Sequence, residues 1–266
     1  MNKQLVIAYP DQVGKLLIVK NRPFVKELQN SCNIFRTLGW EVNIIPLLNG
    51  LDLAELKRQL PLYPPDFSPI LVNKSGVAAT LLEGYGQIIS KHSSGFLIRL
   101  DTAEHPVVCF TRFLELLKMR FDMVVGDLVY PVDLLGKHDL IYQQDRYPKL
   151  FSTLSNSLLN ISGAHGYQAF RLETLPEIWR GAVSIFEQAG RKFKDGLKWG
   201  FDGAMIWSAF LQKMQVGIVK IPGIEFRNRS KQKNEDQYQA FDSVGKAAIK
   251  VFNLSDISRP CEIMQL

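Results

Sequence analysis

GFLIRLDTAEHP, residues 95–106, runs an apolar segment (Phe96, Leu97, Ile98, Leu100) through a single arginine, Arg99, and straight into Asp101, Glu104 and His105. A short apolar run bounded by glycine and a polar cluster reads as a buried strand. Similar runs stand at 5–9, 42–48, 69–73 and 123–126. Between them lie helix-period patterns at 22–38, 51–60, 76–91 and 107–120. In the first of these, Phe24, Val25, Leu28, Cys32, Phe35 and Leu38 recur near one face. Strand and helix in alternation predict an α/β chain with a mainly parallel central sheet and helices on both faces.

The second half is less regular. Residues 135–155 are polar and read as a long loop leading into a helix. Residues 166–172 and 216–221 read as strands, and 176–189, 202–214 and 241–252 as helices. Residues 227–239, dense in charge, read as a solvated loop. Neither an internal repeat nor a linker interrupts the chain, which predicts one domain over residues 1–266.

The 266 residues carry a formal charge of +6 and are 46% hydrophobic, an ordinary globular composition. No stretch reaches the roughly 18 apolar residues that a membrane span requires. The apolar core before Pro10 is too short for a secretory signal. Cys32, Cys109 and Cys261 are odd in number and widely spaced. They suggest buried thiols in a reducing, cytoplasmic setting rather than a disulfide framework or a zinc site. The positive charge favours anionic partners. Nucleic acid is not expected among them, because no basic face with interleaved aromatics and no recognition motif accompanies the charge.

Ligands of open parallel sheets bind beyond the carboxyl ends of the strands. Asp101 stands at such an end, with Glu104 and His105 close behind. The three could hold a divalent metal, Mg²⁺ or Mn²⁺, through hard oxygen ligands. Asp101 could equally cap the helix that begins near Pro106. Gly76 opens a helix whose N-terminal N–H groups could approach a phosphate.

Taken together, these segments resemble the polyprenol-phosphate (dolichol-phosphate) mannose synthases, family 2 glycosyltransferases of the GT-A fold. The matching pieces are NKSGVAATLLEG (73–84), SGFLIRLD (94–101), EHP (104–106), FDMVVG (121–126), GYQAFR (166–171), WGF (199–201), GIVKIP (217–222) and FRNRSK (226–231), in the family's order. The resemblance implies a GT-A-like domain with a nucleotide-sugar-binding half (1–130) and an acceptor-side half (131–266). It implies transfer of a sugar from a nucleoside-diphosphate sugar, metal-assisted and inverting. The acceptor, a lipid phosphate or a sugar hydroxyl, is not identified, and a lipid acceptor leaves room for peripheral membrane association.

On the family's motifs, the donor would be bound by Tyr9, Asn73, Gly76 and Trp199. Phosphate oxygens would pair with Arg227, Arg229 and Lys231, Asp101 would act at the metal, and Asp202 would serve as catalytic base, a residue that could equally cap the helix that follows it. The family's paired carboxylates depart here. Asp-x-Asp becomes Asp101-Thr102-Ala103, the second strand ends on Asn49, the first keeps only Asp11, and Ala204 stands where a glutamate is usual. A non-catalytic relative that binds a nucleotide, sugar or protein is the alternative.

Overall fold

Strand β1 (Gln4–Gln12) lies inside a parallel layer, flanked by β2 (Glu41–Asn49) on one side and β4 (Phe96–Arg99) on the other. Its side chains alternate between two cores. Val6 and Ala8 enter one, and Leu5, Ile7 and Tyr9 enter the other. Burial on both faces explains why the strand reads as a continuous apolar run. The computed structural model describes residues 3–12, 23–49, 53–73, 76–100, 110–155, 159, 161, 166–191, 199–222, 229–252 and 263–265.

The remaining strands are β3 (Ile70–Val72), β5 (Met123–Val129), β6 (Gln168–Arg171), β7 (Val216–Pro222) and β8 (Ile263–Gln265). The eight form one sheet in the order β3-β2-β1-β4-β6-β5-β7-β8. Only β6 among them runs antiparallel to its neighbours, set between β4 and β5. The strand order reverses at β1 and β4, and the crevice of an open sheet lies at such a reversal.

Helices α1 (Pro23–Thr37) and α4 (Phe110–Lys118) supply residues to the core containing Ile7 and Tyr9, and the short α2 (Leu53–Gln59) lies between β2 and β3 in the chain. Helices α3 (Val77–Lys91), α7 (Leu175–Gln188), α8 (Phe201–Leu211) and α9 (Lys231–Val251) supply the other. Almost every residue of α8 is buried, and Trp207 stacks on Phe151 at 5.7 Å between ring centroids. Gly95, entering β4, has φ +105°, and a Cβ there would stand 2.5 Å from the Gln4 carbonyl oxygen. Glycine is therefore required where the opening stretch begins.

One stretch that reads as a loop leading into a helix, and another that reads as a loop, are helical over most of their length. Residues 137–154 form α5 (Lys137–Ile141), a π turn (Tyr142–Arg146) and α6 (Tyr147–Leu154). Tyr142 and Tyr147 are buried there, and both rings pack against Tyr238 of α9. Most of 227–239 is likewise the start of α9. Ser230 caps it by accepting from the Lys233 N–H, and Gln232–Asp236 and Gln239–Glu235 pairs follow at 2.7 Å. The buried stripe of α9 opens with two amides, Asn234 and Gln237, before Ala240 and Phe241, so hydropathy alone hides it.

Candidate functional site at the strand ends

At the end of β1, Asp11 is buried and accepts a hydrogen bond from the Tyr63 hydroxyl at 3.0 Å. Tyr63 in turn packs beside Phe67. Tyr9 lies within the core, its ring edge-on to Phe24 at 5.5 Å. At the end of β2, Asn49 is buried and donates to Thr80 Oγ1 at 2.7 Å, and that hydroxyl donates to the Gly76 carbonyl at 2.8 Å. Asn49 therefore braces the N-terminus of α3. Gly76 itself has φ 94°, a conformation that favours glycine. Asn73, just past β3, is exposed, and its backbone and side-chain N–H groups both donate to Glu83.

The end of β4 carries the most unusual chemistry. Arg99 is only 1% exposed, and its guanidinium Nη1 lies 3.0 Å from Asp202 Oδ1. The two atoms meet as an ion pair, without the alignment of a hydrogen bond. Asp202 sits in the first turn of α8, where the helix dipole favours an anion. The preceding Gly200 is left-handed, φ 105°, and turns the chain into that helix. The Asp202 backbone carbonyl is held as well, by Gln168 Nε2 from β6 at 3.1 Å. Tyr85 of α3 is wholly buried, and burial pushes its hydroxyl pKa up; the Arg99 charge opposes that shift and the Asp202 charge adds to it. Four elements thus converge on one polar cluster at the end of β4.

A second cluster joins Trp199 to the start of α9. The Arg229 guanidinium stands 5.9 Å and the Lys233 ammonium 6.0 Å from the Trp199 ring centroid, within cation–π reach. The Arg229 backbone N–H donates to buried Asp139 at 2.7 Å, and its guanidinium donates to Gln237. Lys231 is exposed on the first turn of α9.

Of the residues singled out from sequence, Trp199 and Arg229 are thereby brought together, and Asp202 is placed at the end of β4. Tyr9 lies in the core, and Asn73 and Gly76 lie around the start of α3. Asp101, Glu104, His105 and Arg227 lie outside the described residues. Sequence reading missed Arg99, Gln168, Tyr85 and Tyr63. For Arg99 a signal exists, since one charge inside an apolar strand demands a buried counter-ion. No group of three or more His, Cys, Asp or Glu suited to a metal ion occurs among the described residues. Asp11 and Asp202 are already engaged by Tyr63 and Arg99. The described residues alone therefore do not make a metal site.

No protein-family model and no curated protein sequence matches the chain. Solved structures do resemble it. Mannosyl-3-phosphoglycerate synthase from Rubrobacter xylanophilus aligns over 97% of this chain and 77% of its own, with TM-score 0.53 and 9% identity. A 4-diphosphocytidyl-2C-methyl-D-erythritol synthase from Anaerococcus prevotii aligns over 91% and 99%, with TM-score 0.46 and 13% identity. A nucleotide-diphospho-sugar transferase from Desulfovibrio desulfuricans aligns over 95% and 99%, with TM-score 0.42 and 11% identity. The likeness is one of fold: the chain is a single α/β domain of GT-A-like architecture.

Proposed function

We propose that this chain is a glycosyltransferase that moves a sugar from a nucleoside-diphosphate sugar to an acceptor with inversion. The observation that carries the reading is the meeting of Asp202 with the end of β4. The first turn of α8 thereby sets a carboxylate against Arg99, the last residue of β4, beside the strand-order reversal. In this reading residues 1–130 bind the donor, with Asn73 and Gly76 on the nucleotide side and Tyr9 in the core rather than at the ligand, and residues 131–266 meet the acceptor. Trp199 offers a ring beside the sugar, and Arg227, Arg229 and Lys231 supply positive charge to phosphate oxygens.

In the transfer, an acceptor oxygen attacks the anomeric carbon and the bond to the diphosphate breaks, releasing the nucleoside diphosphate. Where the acceptor is a hydroxyl, Asp202 receives its proton. An acceptor that is already a phosphate anion needs no base. Asp101, with Glu104 and His105, would hold Mg²⁺ or Mn²⁺, which when bound neutralises charge on the departing diphosphate. A cytoplasmic location, with peripheral contact to a membrane where the acceptor is a lipid, belongs to the same proposal; no described helix is long and apolar enough to cross one.

The alternative, a binder without chemistry, draws on the engagement of Asp11 by Tyr63 and on the bracing role of Asn49. Product release from radiolabelled nucleotide sugars with Mn²⁺ separates the two. Transfer or donor hydrolysis that is lost in Asp101→Ala and Asp202→Asn supports the enzyme. Binding of nucleotide with no release from any donor supports the binder.

A further inference from the structure

We draw no further inference here: the strongest candidate, the Trp199–Arg229–Lys233 side-chain cluster at the start of α9, belongs to the site already described.

Discussion

Removing Arg99 takes from Asp202 the guanidinium 3.0 Å away, and removing Asp202 takes a carboxylate from a guanidinium that is 1% exposed and cannot shed its charge. Arg99→Met alone should lower unfolding free energy by about 3–5 kcal/mol, and adding Asp202→Leu should recover part of that loss. Urea melts of the three proteins check this; equal losses in single and double variants would refute the account. A second residue-scale prediction concerns Glu235. Hydrogen bonds from Gln239, Tyr142 and Arg146 pull its carboxyl from 4.5 down to about 2. A carboxyl depressed in the folded state stabilises above its unfolded value, and that contribution is lost as pH falls through the folded one. Native protein should therefore lose stability between about pH 4.5 and pH 2 more steeply than Glu235→Gln does, as read from urea midpoints across that range. At this scale the sequence was only partly legible. Asp202 could be named from its place after Gly-Phe, but its partner Arg99 is 103 positions away and no local pattern joins them.

Elements whose burial follows hydropathy, such as β1, β2, α3 and α7, were legible from apolar period alone. The start of α9 was not, because its inward face opens on Asn234 and Gln237, and of residues 137–154 only a closing helix was legible, because tyrosines carry much of the packing. The cap is where α9 declares itself, and Ser230→Ala should cost about 1 kcal/mol by thermal melting, with Ser230→Asp near native. The entry to β4 is stricter. Gly95→Ala meets both a positive φ and the Gln4 carbonyl, and should cost roughly 2 kcal/mol or more. A melt unchanged from native would show that the β1–β4 edge can relax around a methyl group.

For the molecule as a whole, the net charge of +6 favours anionic ligands. A nucleoside diphosphate that binds only the folded chain, supplied at 100 times its dissociation constant, should add about 2.7 kcal/mol of stability, seen as a rise in melting temperature that Mn²⁺ enhances. The α/β class was legible because alternation of period is a property of the whole chain. The antiparallel insertion was not, because residues 166–172 look like any buried strand and nothing local reports direction. That insertion has a bearing on biosynthesis. With β6 absent, the flank of β4 that it covers keeps unpaired backbone groups, and β5 cannot join the sheet through it. A nascent chain must thus emerge from the ribosome past residue 171 before its two halves can zip together, and until then it carries a raw seam open to aggregation or to a chaperone's grip.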